Sequence, residues 1–171
     1  LEFVNQYVSL VAKDASIPLA THLDHGDYLS EGGKKVVQGA VRLLTSVMAD
    51  NSTDHAAKRP TELKENIEAT REVVNMAHPL GVSVEGELGV LAGVEDEDTQ
   101  SDFSTYTDPE ELKVFLERTG VLMLAPTIGT MHGPNKGKPG DKVKLNIKLA
   151  NQCLALADTL DPDILFVAHG A

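Results

Sequence analysis

Five short apolar runs alternate strictly with stretches of helical spacing, and no other feature restricts the fold as much. Leu1, Val4, Val8 and Val11 share one helical face, and Leu19 to Leu23, opened by Pro18, reads as the first strand. Lys34 to Leu44 returns to helical spacing, and Ser46 to Ala49 is the second strand. Pro60 opens a long helix with Leu63, Ile67, Val74 and Ala77 in one stripe; Gly81 closes it, and Val82-Ser83-Val84 starts the third strand. An acidic, polar stretch from Glu95 to Thr107 reads as loop. Asp108-Pro109-Glu110-Glu111 then has the composition of a helix start: a capping Asp, Pro at the first helical position, and acids at the positive end of the dipole. That helix stops at Gly120, Val121 to Ile128 is the fourth strand, Leu145, Leu149, Cys153 and Leu156 mark another helix, and Ile164 to Ala168 is the fifth strand. Such alternation means parallel βαβ units, in a doubly wound sheet or in a (β/α)8 barrel.

With 171 residues, 42% of them hydrophobic, the chain can bury one sizeable core; it carries no repeat or low-complexity linker, so residues 1–171 are expected to form one domain. A net charge of −11 argues against nucleic acid and against an anionic membrane as partners, while leaving room for a small phosphorylated ligand held by a few cations and backbone N–H groups. Cys153 is the one cysteine, which rules out an internal disulfide and a thiolate metal cluster and points to a reducing cytoplasm. No apolar run approaches the roughly 18 residues needed to span a bilayer. The chain starts at Leu1 on a helical pattern with no charged leader, so no signal peptide is expected. It stops at His169-Gly170-Ala171, where a loop would follow, and a fragment of a longer chain is therefore expected.

The reactive residues separate the two fold options. Asp24 and His25 end the first predicted strand, Asp50 ends the second, Glu85 and Glu87 end the third, His132 follows the fourth and His169 ends the fifth. A barrel whose active site is built at the C-terminal ends of its strands predicts this placement. A doubly wound nucleotide binder would show a G-x-G-x-x-G loop after the first strand, and none is present. A lone histidine at a strand end is most often a hydrogen-bonding loop residue. Three in equivalent positions, each beside Gly or Asp, favour a zinc site that takes three protein ligands and leaves one position open. His22, His55 and His78 lack that placement and read as a supporting residue, a loop residue and a helix-end residue. Glu85 and Glu87, spaced by two on an apolar strand, point the same way into the barrel mouth.

The strings THLDHG (Thr21 to Gly26), TSVMADNS (Thr45 to Ser52), SVEGELGVLAGVED (Ser83 to Asp96), YTDPEE (Tyr106 to Glu111), IGTMHG (Ile128 to Gly133) and FVAHGA (Phe166 to Ala171) resemble class II, zinc-dependent fructose-bisphosphate and tagatose-bisphosphate aldolases. They occur in that family's order and at about its spacing. The resemblance implies a TIM (β/α)8 barrel of which this chain covers about strands 3 to 7. Five strands do not close a barrel, so the working enzyme is expected to contain more chain.

The resemblance also implies roles. The zinc histidines carry over to His25, His132 and His169, and the aspartate that handles the C4 hydroxyl proton to Asp24. The mobile-loop glutamate that protonates the enediolate carbon aligns with Glu95, and Asp50 and Glu87 match acids near the metal and a second metal position. Gly133, Lys136 and Gly170 match the stretch that binds phosphate and, in many members, a monovalent cation. The implied activity is reversible cleavage of fructose 1,6-bisphosphate to dihydroxyacetone phosphate and glyceraldehyde 3-phosphate, in a homodimer or homotetramer. Two departures bear on substrate preference. His132-Gly133-Pro134-Asn135 lacks the aromatic of the usual HGxY, and Asp50-Asn51-Ser52-Thr53 stands where many members have DGSH, followed by a polar insertion, Asp54 to Arg59. The alternatives are a tagatose-bisphosphate aldolase, its non-catalytic partner subunit, and a barrel metallohydrolase. The last ranks lowest because such sites commonly take two histidines from one strand as H-x-H, whereas His22 and His25, spaced by three, fall on opposite faces of a strand.

Overall fold

The computed structural model describes residues 1–90, 92–94, 100–101, 106–132 and 145–170, with the backbone alone described for 92–94, 100–101 and 131–132. Among the described residues, five parallel strands form one sheet: β1 (His22–Gly26), β2 (Ser46–Ala49), β3 (Ser83–Leu88), β4 (Met123–Pro126) and β5 (Leu165–Phe166). They lie side by side in chain order with no reversal. A doubly wound sheet reverses its order at a switch point, whereas successive addition on one side is how a barrel wall grows.

Helices α1 (Glu2–Ala12), α2 (Glu31–Val41), α3 (Leu63–Ala77), α4 (Pro109–Thr119) and α5 (Ile147–Leu160) precede or connect the strands. Their ends follow local chemistry. Ser30 caps α2 by accepting from the Gly33 N–H, Asp108 caps α4 by accepting from the Glu110 N–H, and Asn146 caps α5 by accepting from the Leu149 N–H. Gly120 ends α4 at φ 74°. A single 3-10 turn, His78–Leu80, follows α3 and is closed by Gly81 at φ 72°.

The parallel register sorts the strand residues onto two faces. Val47, Val84 and Leu124 share the helix side, and with Ala49 and Leu88 they join Val37, Val41, Val73, Leu112, Phe115 and Cys153 in the buried core. At Gly86 an added Cβ would lie 2.9 Å from the Phe115 ring, so α4 packs directly on the backbone of β3. The opposite face carries Ser46, Met48, Ser83, Glu85 and Glu87. Glu85 and Glu87, the two acids expected to point the same way, both lie on this face.

The structure moves several expected boundaries. The first strand is His22–Gly26 rather than Leu19 to Leu23, because its partner β2 begins at Ser46 and His22 is the residue opposite it. Pro18 to Ala20 lie outside the ladder and are exposed. The long helix starts at Leu63, not Pro60: the polar insertion forms a small ladder, Thr53–Asp54 against Arg59–Pro60. Arg59 holds it with contacts of 3.3 Å to both Asp54 and Glu65. Within the expected acidic loop, Gln100–Ser101 pairs with Ala92–Val94, which in turn pairs with Met131–His132.

Candidate metal centre and active site

The site begins with an irregularity in β1. Leu23 lies opposite Val47, but Gly26, not His25, lies opposite Ala49, so Asp24 and His25 together face the single residue Met48. This is the arrangement of a β-bulge, which re-aims side chains where a regular strand would alternate them. His25 takes the left-handed backbone conformation, φ 47°, and its N–H reaches Met48 Sδ at 3.3 Å. Two adjacent residues are thereby delivered to one side of the sheet.

The bulge also corrects the expectation that His22 and His25 are separated by the sheet. His22 Nε2 lies 3.5 Å from Glu85 Oε2, and the same carboxylate, through Oε1, accepts from His169 Nε2 at 2.7 Å. His169 Nδ1 in turn stands 2.9 Å from His25 Nε2, the two rings meeting edge to face at 78°. Both histidines of the first strand thus belong to one network.

The donor set fits a metal ion on its own chemistry. His25 Nδ1 is 2.8 Å from Asp50 Oδ2, and His169 Nε2 is 2.7 Å from Glu85 Oε1. When each imidazole donates a proton to its carboxylate, the nitrogens facing each other at 2.9 Å both present lone pairs. Such a juxtaposition is repulsive until a cation shares it. Carboxylate-backed imidazoles are the usual form of histidine ligands, because the carboxylate fixes the tautomer and raises the basicity of the ligating nitrogen. The separation is within about 0.5 Å of that between two imidazole nitrogens on one tetrahedral zinc. Asp24 Oδ1 lies 3.8 Å from His25 Nε2 and 3.9 Å from His169 Nδ1, exposed at the rim. Among the described residues, Asp24, His25 and His169 are one of two potential ligand groups whose atoms lie within 4.8 Å of one another.

The second group is His25, Asp50 and Glu87. Glu87 Oε2 is 3.8 Å from His25 Nδ1, and Ser52 Oγ links Asp50 Oδ1 at 2.8 Å to Glu87 Oε1 at 3.5 Å. Burial pushes the Asp50 carboxyl up, but the hydrogen bond and the charge attraction from His25, with two bonds from Ser52, outweigh it and hold the group below its ordinary value. Asp50 therefore stays ionised beside His25.

A buried polar relay supports this arrangement, and sequence reasoning missed it. Asn51 Oδ1 accepts from the Tyr28 N–H at 2.9 Å, Asn51 Nδ2 donates to Thr70 Oγ1, Thr70 donates to Asn66 Oδ1, and Asn66 Nδ2 donates to the Glu87 carbonyl at 2.9 Å. It ties the ends of β1, β2 and β3 to α3. The available signal was Asn66 and Thr70, polar residues four apart flanking Ile67 on the apolar stripe of that helix.

Of the expected site residues, Asp24, His25, Asp50, Glu87 and His169 are brought together. His132 is placed by its backbone in the two-residue strand beside Gly93, and Gly170 follows His169 at φ 64°. Glu95, Gly133 and Lys136 fall outside the described residues.

The family model "Fructose-bisphosphate aldolase class-II" matches residues 1–171. The chain belongs to the class-II fructose-bisphosphate aldolase family. It is similar to a fructose-bisphosphate aldolase of Staphylococcus epidermidis, 44% identical over 124 residues, which is 72% of this chain and 39% of that protein. Among solved structures it is similar to a candidate fructose-1,6-biphosphate aldolase from Coccidioides immitis, with a TM-score of 0.79 and 27% identity over 99% of this chain and 54% of that one. It is also similar to the YdjI aldolase from Escherichia coli K12, with a TM-score of 0.70 and 29% identity over 99% of this chain and 51% of that one. The fold is accordingly that of part of a class-II aldolase TIM barrel, as the strand-end pattern predicted. The chain spans about half the length of these solved chains, and less of the curated relative. The family is generally metal-dependent, which agrees with the donor set. No helix among the described residues is long and apolar enough to cross a membrane.

Proposed function

We propose that the full-length protein is a zinc-dependent aldolase that reversibly cleaves fructose 1,6-bisphosphate to dihydroxyacetone phosphate and glyceraldehyde 3-phosphate. The observation that carries this reading is the approach of His25 Nε2 and His169 Nδ1 to 2.9 Å, each ring backed by a carboxylate. His25 and His169, with His132 as the third ligand that the family resemblance implies, hold the metal. A zinc ion bound there supplies positive charge that stabilises the charge building on the departing three-carbon fragment.

The chain's own residues do the rest. Asp24, at the rim beside both histidines, takes the C4 hydroxyl proton as the C3–C4 bond breaks. Glu95, which the resemblance aligns with the family's proton donor, returns a proton to the three-carbon fragment. Gly133, Lys136 and Gly170 bind a phosphate, with backbone N–H groups and one cation offsetting its charge in an otherwise acidic protein. Asp50 and Glu87, the acids that the resemblance sets near the metal, offer a second position for a divalent ion, and the phosphate stretch one for a monovalent cation. The same reading carries a cytoplasmic homodimer or homotetramer, with residues 1–171 folding as part of one barrel domain.

Asp24→Asn separates the proton step from metal binding. The variant is expected to keep its metal and to lose cleavage by about 10²–10⁴-fold. It should still exchange a dihydroxyacetone phosphate C–H proton with solvent, since that step belongs to Glu95. Full cleavage in the variant would remove Asp24 from the chemistry.

A further inference from the structure

Glu85 is an ionisable side chain in a place where an apolar one would pack. It is only 2% exposed, and in the sheet register it lies between Met48 of β2 and Met123 of β4. A carboxylate buried between two methionines costs free energy unless it is paired. Its partners come from strands it does not adjoin. Oε1 reaches across β4 to His169 Nε2 at 2.7 Å, just beyond the end of β5, and Oε2 lies 3.5 Å from His22 Nε2 at the start of β1, across β2. His22 is itself held from behind, with Nδ1 2.9 Å from Ser46 Oγ.

The geometry points to Glu85 as a positioning residue for the metal site: it acts through His169, and His22 anchors its second oxygen. The inference rests on the metal reading given above. By accepting the Nε2 proton of His169, Glu85 fixes Nδ1 as the ligating atom and turns it toward His25 Nε2. A carboxylate with one oxygen on His22 cannot rotate away without breaking that contact, so the His169 ring keeps its orientation before metal arrives. Through its two side-chain contacts Glu85 also links the start of β1 to the turn just beyond β5, so a buried side chain of the sheet helps to set where His169 stands relative to the first strand.

The test uses the full-length protein, its Glu85→Gln and His22→Gln variants, and Co2+ alone as the probe. Glutamine keeps the volume of Glu85 and removes the charge. Co2+ affinity is measured against a competing chelator, the visible d–d spectrum reports ligand geometry, and thermal unfolding of the metal-free protein reports folding. The expected result for Glu85→Gln is a loss of affinity of about 10–100-fold with an altered d–d band and metal-free unfolding close to that of the parent. His22→Gln should fall between parent and Glu85→Gln. Parent affinity and an unchanged spectrum in Glu85→Gln would overturn the inference while leaving the metal reading intact. If Glu85→Gln does not fold, the half-exposed His22 carries the test, and a His22→Gln protein with parent affinity and spectrum overturns the inference. A parent that binds no Co2+ would overturn the metal reading itself, and the inference with it.

Discussion

Replacing Gly26 by alanine should damage the site without touching any residue that performs chemistry. Gly26 ends β1 beside His25, with its carbonyl accepting from the Asp50 N–H at 3.0 Å. A Cβ added there would lie 2.5 Å from the Met48 carbonyl oxygen and 2.8 Å from Val37 Cγ2. The first neighbour is backbone in the adjacent strand and cannot swing aside. To bring that contact out even to 3.0 Å, the floor of real Cβ contacts, β1 and β2 must part locally by about 0.5 Å. Overpacking of this kind costs about 1–3 kcal/mol, and the upper half applies when backbone has to move. The displacement falls on the neighbouring His25, whose 2.8 Å contact to Asp50 would stretch beyond 3.2 Å, losing a charged hydrogen bond of about 1.5–3 kcal/mol. Every 1.4 kcal/mol is tenfold in affinity, so Gly26→Ala is expected to weaken metal binding by about tenfold or more and to lower stability. Gly39 is the internal control. It lies in α2 with open space where a Cβ would go, so Gly39→Ala should stabilise by about 0.5–1 kcal/mol and leave metal affinity unchanged. Metal titration and denaturant unfolding of the two full-length variants decide the matter. Parent stability and affinity in Gly26→Ala would refute the argument that the bulged strand holds His25 by close packing.

Asn66→Ala should cost about 2–3 kcal/mol by denaturant unfolding, because it removes the donor to the Glu87 carbonyl and the acceptor of Thr70 within a buried relay; a loss below measurement error would contradict the relay. Burial pushes the Cys153 thiol up and leaves it with no exposed surface, so a thiol reagent should react slowly with the native protein and rapidly after unfolding. Prompt stoichiometric reaction of the native thiol would show that α5 does not pack as described.

The order of elements was legible because each strand and helix carries its own pattern. Short apolar runs and period-3.6 stripes survive without tertiary context, and Asp108, Pro109 and Gly120 mark the ends of α4 where the sequence places them. The sheet decides what local pattern cannot. Leu19 and Ala20 look like strand, but the ladder starts only where Ser46 offers a partner. The same holds for the chemistry. The gathering of Asp24, His25, Asp50, Glu87 and His169 at one end of the strands followed from their positions at strand ends. The joining of His22 to that cluster did not, because it needs the bulge at Asp24 and His25, and a bulge leaves no signal in a five-residue strand. Asn51, Asn66 and Thr70 were equally hidden, since buried polar residues are recognised only through the partners that three-dimensional structure supplies.

The proposal that this constellation would hold a metal needed for cleavage of a sugar bisphosphate is tested most directly by assaying fructose 1,6-bisphosphate cleavage by the full-length protein before EDTA, after EDTA, and after zinc is added back. The account predicts activity that vanishes with the chelator and returns with zinc. Cleavage that persists in metal-depleted protein, or none in the zinc-loaded protein, would contradict it.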